Sequence, residues 1–127
     1  MSAAAYLRKA HESLASAGAD SGAGRYNSAA NRAYYAAFQA AVALLITEGI
    51  QPRTENWEHR FVIAQFSSTL IRRRKRLPAR FKRTLNDLLE VRLTADYRVA
   101  DVSARQGRAV VQRARELVEH LAAQSEG

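Results

Sequence analysis

The hydrophobic pattern of this chain is strongest between Arg25 and Glu48, and the segment 29–46 inside it contains neither glycine nor proline. Eight of the eighteen residues in that segment are alanine, the residue with the highest helix propensity. Apolar residues recur there at helical spacing around most of the cylinder, which is typical of a central helix packed on more than one side. The polar remainder forms one narrow edge, made of Ser28, Arg32, Tyr35 and Gln39.

The rest of the chain shows further helical segments separated by turn and cap signals. We expect these helices over residues 3–17, 56–70 and 78–94, with a last one that starts after Ser103. A glycine-rich turn at 18–24, a C-cap at Gly49 and a capping box of Ser103 with Gln106 mark the boundaries. Since no segment keeps the alternation of a strand, the sequence predicts an all-α fold. It is an up-and-down bundle of four long helices plus one shorter helix, in a single domain over 1–127.

Composition narrows the possible chemistry. With 47% hydrophobic residues in 127, the chain is long and apolar enough to build a real core. The absence of cysteine excludes a disulfide framework, a thiolate metal site and a cysteine nucleophile. No paired-histidine, P-loop or dinucleotide-binding motif is present, so we expect no metal and no cofactor. The longest apolar run, 40–46, is far shorter than a membrane span and no secretory signal opens the sequence, so we expect a cytoplasmic protein away from the membrane.

Positive charge is the second strong feature of the composition. The net charge is +8, which attracts polyanions such as RNA, although an arginine-rich protein from a GC-rich genome is the alternative. Eight of the twenty cations lie within the twelve residues 72–83, without an intervening acid. This run predicts a patch that tracks phosphates, and a solvated loop is the alternative. The patch residues singled out are Arg72, Arg73, Arg74, Lys75, Arg76 and Arg80.

Arg92 is the sharpest local feature, because it continues a stripe whose other members are Phe81, Leu85 and Leu88. A guanidinium at a core position must be paired, lie in a cleft or lie at an interface. Asp96, four residues on, is the nearest carboxylate. The residues therefore allow two interpretations: an Arg–Asp clamp that ends the helix, or a guanidinium lining a groove that receives a phosphate.

The aromatic pair Tyr34–Tyr35 and His59 are the other candidates for chemistry. Neighbouring residues on a helix point about 100° apart, so Tyr34 should join the core and Tyr35 should face a groove or another subunit. The three histidines of the chain lie on different predicted helices, which gives a zinc site no support. His59 is either a partly buried histidine bonded to a neighbour, or a group near Arg92 that transfers a proton or binds an anion.

Two sequence blocks together resemble a known family. NRAYYAAF at 31–38 and Arg92-x-x-Ala95-Asp96-Tyr97, in this order and followed by an amphipathic helix, resemble the HEPN domain. The name stands for "higher eukaryotes and prokaryotes nucleotide-binding", a family of small helical bundles. The likeness covers about residues 7–121.

The resemblance implies a function that composition alone does not. HEPN domains commonly dimerise, line a shared cleft with the arginine motif, and act as RNA-binding modules or ribonucleases. Many bacterial members are encoded beside a minimal nucleotidyltransferase, as a toxin–antitoxin pair. Ribonuclease members have four to six residues between the arginine and a histidine, but here Tyr97, Arg98 and Val99 hold the three places where that histidine could stand. The missing histidine argues against metal-independent cleavage of RNA, and whether the chain is an enzyme stays open.

The resemblance thus implies an RNA- or nucleotide-binding module that acts as a homodimer with a nucleotidyltransferase partner. Its binding residues would be Arg92, Asp96, Tyr97, Tyr35 and Arg32. One alternative is an endoribonuclease that uses Arg92 and His59 as catalytic residues. The other is a purely structural dimer or adaptor built on the Arg92–Asp96 clamp.

Overall fold

Helices form almost all of the regular structure of this chain. The computed structural model describes residues 1–126, with side chains through residue 124; Gly127 lies outside the described residues. Five α-helices and no strand occur in that part of the chain, so the predicted all-α fold is confirmed. The helices are α1 (Ala3–Gly22), α2 (Tyr26–Thr47), α3 (His59–Gln65), α4 (Thr84–Tyr97) and α5 (Ala104–Glu126). None of these helices combines the length and the apolar content that crossing a membrane requires.

Helix α2 is the centre of the bundle, as its composition predicts. It packs against α1, α4 and α5, and thirteen of its 22 residues are buried. Most of the buried positions are alanines with no exposed surface, whose short side chains let the neighbouring helices approach closely. The four long helices therefore share one core, into which the shorter α3 also packs through Val62.

Helix α1 continues further than the glycine-rich segment 18–24 predicts. Its closing hydrogen bonds come only at the end of that segment, where the backbone N–H groups of Gly24 and Arg25 donate to the carbonyl oxygens of Ser21 and Asp20. Gly24 has a φ of 80°, the left-handed conformation that glycine adopts without steric cost. The earlier glycines, Gly18 and Gly22, lie within α1, where glycine is a poor helix former but is tolerated.

Two other predicted helix ends are confirmed. Gly49 follows α2 with a φ of 76°, and the N–H of Ile50 donates to the carbonyl of Leu45 over 2.9 Å. At the start of α5, the N–H of Gln106 donates to Oγ of Ser103, and the N–H of Ser103 donates back to Oε1 of Gln106. Short-range cap chemistry therefore fixes both boundaries.

The predicted third and fourth helices differ from the observed elements. Helix α3 begins at His59 and then widens into a π-helix, Phe66–Arg73. The wider turn places Leu70 and Ile71, four and five residues after Phe66, on the buried side together. The predicted start of α4 at Pro78 is also wrong, because a 3₁₀ turn (Ala79–Phe81) comes first and α4 begins only at Thr84.

Candidate functional site

The candidate site lies where α4 runs antiparallel against the first half of α2. Asp96 near the end of α4 is hydrogen bonded to Asn31 near the start of α2. One helical turn earlier on α4, Arg92 lies over the ring of Tyr35, which is one turn later on α2. This register brings two segments that are 65 residues apart in sequence into one cluster.

Arg92 is held by a carboxylate on one side and by aromatic rings on the other. Its Nε donates to Oδ2 of Asp96 over 3.1 Å, and only 14% of its side chain is exposed. The guanidinium carbon lies 5.0 Å from the ring centre of Tyr35 and 5.7 Å from that of Tyr34, within the range of cation–π attraction. The predicted Arg–Asp clamp exists. Within the described residues only Nε of this guanidinium is hydrogen bonded, so both Nη groups keep donors for a ligand.

A polar network links Arg92 to a second arginine on α2. Oδ2 of Asp96 also accepts from Nδ2 of Asn31 over 3.0 Å. Oδ1 of Asn31 in turn accepts from Nε and Nη2 of Arg32, over 3.0 and 2.7 Å. Because Arg32 also lies 5.2 Å from the ring centre of Tyr35, two guanidinium groups share one aromatic side chain. Asn31 is thus a member of the cluster that the sequence did not single out as a site residue, since its contact is made across two helices.

His59 closes the aromatic side of the cluster. Its ring stacks on Phe38, with centroids 4.6 Å apart, and on Tyr34, at 5.4 Å and 10° between the planes. Burial, and then the charge of Arg92, lower the pKa of His59 below its ordinary value. The imidazole is therefore neutral near pH 7, and it lies close enough to Arg92 to feel its field.

The tautomer of His59 follows from its bond to Tyr34. The hydroxyl oxygen of Tyr34 lies 2.6 Å from Nδ1 of His59, and Tyr34 has no exposed surface. Burial raises the pKa of the Tyr34 hydroxyl, so the hydroxyl keeps its proton and needs an acceptor. Nδ1 is the partner that the described residues offer. If Nδ1 accepts, the proton of the neutral ring is on Nε2, and His59 acts as a hydrogen-bond donor rather than as a base.

An open groove of about 550 Å³ adjoins the cluster. Asn31, Arg32, Asp96 and Tyr97 line it, together with Asp20, Asn27, Ser28 and Ala95. Tyr97 is 74% exposed, so its ring is available to a ligand in this groove. The structure thus brings Arg92, Asp96, Tyr35, Arg32 and His59 into one cluster and places Tyr97 at its outer edge.

The basic run, by contrast, lies far from this cluster and is divided by the fold. Arg74 and Arg76 turn toward Glu48 at the end of α2, with nitrogen–oxygen distances of 3.2 and 3.4 Å. Arg80 covers the ring of Phe81 at 4.2 Å. Glu48 follows Asn31 by 17 positions in the sequence, which along a helix is roughly 25 Å. The run is therefore not one continuous row of cations, and it does not extend the Arg92 cluster.

The chemistry of the cluster is that of a donor site for an anion. Within residues 1–124, no group of three or more His, Cys, Asp or Glu side chains is placed to hold a metal ion. The cluster instead offers guanidinium N–H donors and an exposed phenol ring. Planar guanidinium groups match the oxygens of phosphates and carboxylates.

Comparison with known proteins identifies the family of the chain. No curated protein sequence matches the chain at a significant level. The model of the HEPN domain matches residues 3–124, which is nearly the whole chain and covers α1 to α4 and all but the last two residues of α5. The chain therefore belongs to the HEPN domain family.

Proposed function

We propose that this HEPN domain binds single-stranded RNA or a nucleotide, with a phosphate held at Arg92. The observation that carries the proposal is the fixed position of this guanidinium. Asp96 and two tyrosine rings orient it, while its Nη groups have no hydrogen-bond partner within the described residues. An arginine oriented in advance loses little side-chain entropy when it binds an anion. The net charge of +8 would draw the polyanion toward the site.

The neighbouring residues have separate parts in this proposal. Arg32, held by Asn31, supplies a second cation on the groove side of Tyr35. The exposed ring of Tyr97 gives a nucleobase a surface on which to stack, an interaction that tolerates any base. Asp96 repels a phosphate but fixes Arg92, so we assign it a positioning role.

Binding without cleavage is the form of the proposal that the His59 geometry favours. A ribonuclease that uses Arg92 and His59 would need a proton acceptor at His59, yet its Nδ1 faces the buried hydroxyl of Tyr34. A neutral ring with its proton on Nε2 has no acceptor left. End-labelled RNA incubated with the wild-type chain and with His59→Gln tests this point. We expect no cleavage by either; cleavage that is lost in His59→Gln would instead establish the ribonuclease alternative.

We further propose that the chain works as a homodimer in a toxin–antitoxin pair with a nucleotidyltransferase, in the cytoplasm where its RNA ligand would be found. A second subunit is proposed because HEPN domains commonly dimerise, and Val99, which is fully exposed just after α4, is the contact we suggest for it. The molar mass in solution and co-purification with a nucleotidyltransferase encoded next to this chain test the two partners. If the chain is only a structural adaptor, Arg92→Ala should weaken the dimer and leave RNA binding unchanged.

The salt dependence of binding tests the phosphate contact itself. A fluorescently labelled single-stranded RNA is titrated with the chain at several concentrations between about 50 and about 200 mM salt. We expect the affinity to fall steeply over this range, since each neutralised phosphate releases counterions. An affinity that does not change with salt would contradict the proposal.

A further inference from the structure

A second groove, with a different chemistry, lies beside the basic run. Its volume is about 710 Å³, within the range of sites that hold small ligands or inserted side chains. Its floor is aliphatic and consists of Ile71, Leu77, Pro78 and Ala79. Ile71 and Leu77 are buried, whereas Pro78 and Ala79 are exposed and give the groove an apolar surface open to solvent.

Cations surround this aliphatic floor. Arg72, Lys75, Arg76 and Lys82 line the groove, and no carboxylate is among its lining residues. Arg76 is turned toward Glu48, but the other three cations are exposed and form no ion pair within the described residues. An apolar centre with a charged rim is the usual arrangement of a protein-binding surface.

We propose that this groove docks an acidic segment of a different protein. Aliphatic side chains of that segment would enter the floor, and its Asp and Glu side chains would meet Arg72, Lys75 and Lys82. We choose this partner because of charge complementarity. Several cations along a rim match a run of carboxylates better than they match a single anion. This inference does not rest on the RNA-binding proposal, because the groove lies near the other end of α2 from Arg92.

Two other occupants fit the groove less well. A second copy of this chain, docked face to face by two-fold symmetry, would set the same cations against each other and be repelled. RNA would find phosphate partners, but among the described residues that line the groove His120 is the one that carries a ring for a base to stack on. Phe81 is 3% exposed and covered by Arg80, and the ring of His120 packs on Phe81 at 5.3 Å.

The backbone beneath the rim is already ordered. The N–H of Arg74 donates to the carbonyl of Thr69 over 2.8 Å, and the N–H of Arg76 donates to that of Leu70 over 2.7 Å. Between them, Lys75 has a φ of 51°, which fixes the direction in which its side chain leaves the loop. A surface held in this way avoids the cost of ordering a loop when the partner binds.

The test uses a fluorescein-labelled peptide in which Glu and Asp alternate with Leu at helical spacing. Its binding to the full chain is compared with that of two control peptides, one with Leu replaced by Ser and one with the acids replaced by Gln or Asn. The protein variant is Arg72→Glu, Lys75→Glu and Lys82→Glu combined. The matched control combines Arg8→Glu, Arg53→Glu and Arg105→Glu, three exposed cations outside the groove, so that both variants have the same net charge.

We expect the acidic Leu peptide to bind more tightly than both control peptides. The groove variant should bind the acidic Leu peptide about tenfold or more weakly than the wild type does, and the control variant should lose much less affinity. Circular dichroism and thermal unfolding show whether each variant is folded. Ala79→Glu, which puts one carboxylate on the floor of the groove, should also lower the affinity for the acidic Leu peptide. Equal loss in the two charge variants would show general charge attraction and overturn the proposal. So would weak peptide binding combined with an RNA affinity that falls only in the groove variant, since the groove would then bind nucleic acid.

Discussion

The hydroxyl of Tyr34 and Nδ1 of His59 are 2.6 Å apart, in a part of the cluster where the tyrosine is fully buried. This contact decides what His59 can do, because the buried hydroxyl needs an acceptor and leaves the imidazole proton on Nε2. It also explains how a histidine can lie beside Arg92 in a bundle of net charge +8. The ring stays neutral, and its stacking on Phe38 supplies packing rather than charge.

The lowered pKa of His59 makes stability depend on pH. The unfolded chain takes up a proton at His59 near the ordinary histidine pKa of about 6.5, before the folded chain does. The free energy of unfolding should therefore fall as the pH drops below about 6.5, and this fall should end below the pKa of the folded state. Tyr34 and Tyr35 on α2 and Arg92 on α4 are the groups that face the ring.

Urea unfolding at several pH values between about 5 and about 7.5 measures this effect. His59→Gln should flatten the dependence, while His11→Gln, a change at an exposed position on α1, should leave it as in the wild type. Identical pH profiles for the wild type and His59→Gln would show that His59 is not the group responsible.

Substitutions of Asp96 separate orientation from charge at the candidate site. Asp96→Ala removes the acceptor of Arg92 Nε, and RNA affinity should fall by about fivefold. Asp96→Asn keeps an acceptor oxygen, so its affinity should equal or exceed that of the wild type. Asp101→Ala is the control, because it also removes a carboxylate from an Asn contact near the groove, Asn27 to Asp101 at 3.0 Å. If Asp96→Ala binds more tightly than Asp96→Asn, the positioning role is wrong.

The contact between α5 and the start of α2 depends on a glycine. A Cβ atom at Gly107 would lie 2.6 Å from Cδ1 and 2.9 Å from Cβ of Tyr26, so a rotation of the ring alone does not make room. Gly107→Ala should lower the free energy of unfolding by about 1 to 3 kcal/mol, although alanine is the better helix former. Gly18→Ala is the matched control on α1.

At Gly18 the nearest atom to an added Cβ is Nη2 of Arg115, at an ordinary 3.5 Å. Gly18→Ala should therefore raise the free energy of unfolding by up to about 1 kcal/mol. Urea midpoints at an unchanged m-value measure both variants. A Gly107→Ala chain as stable as Gly18→Ala would mean that α5 and α2 are further apart than the structure has them.

The conformation of Lys75 predicts a separation of stability from docking. With a φ of 51°, Lys75→Gly relieves backbone strain, and the free energy of unfolding should rise by about 0.5 to 1 kcal/mol. Lys82 has a φ of −52°, which suits any residue, so Lys82→Gly should lower the free energy of unfolding by about 0.5 to 1 kcal/mol. Both variants lose a rim cation, and both should bind the acidic peptide more weakly. If the two glycine variants shift stability in the same direction, the left-handed conformation of Lys75 is not correct.

The sequence predicts the centre of this fold better than its margins. Helix α2 is predicted correctly because its own alanine-rich sequence already indicates a helix buried on several sides. The region 66–83 could not be predicted in the same way. Its π-helix ends at Arg73, and the following Arg74 and Arg76 reach back to Glu48 at the end of α2. A contact of this kind leaves no periodic signal in the local sequence.

The candidate site shows the same division. Arg92 is conspicuous in the sequence because a charge interrupts an apolar stripe, and its pairing with Asp96 at i+4 follows from helical spacing. Asn31 is not conspicuous, since an asparagine in an alanine-rich helix attracts no attention until α4 is packed beside it. The tautomer of His59 likewise depends on its contact with Tyr34, which joins α3 to α2.

Arg92 is the residue on which the proposed function depends, and the salt dependence of RNA binding by Arg92→Gln tests it most directly. The control is Arg113→Gln, which removes the same charge and also breaks an ion pair, Arg113 to Asp87 at 3.1 Å, away from the cluster. At low salt, Arg92→Gln should bind RNA about ten- to a hundredfold more weakly than the wild type, and Arg113→Gln only slightly more weakly. The slope of log affinity against log salt should become shallower by about 0.7 in Arg92→Gln alone, the value for one lost phosphate contact on a single strand. Equal affinities and equal slopes for the two variants would contradict the phosphate contact at Arg92 and, with it, the proposed function.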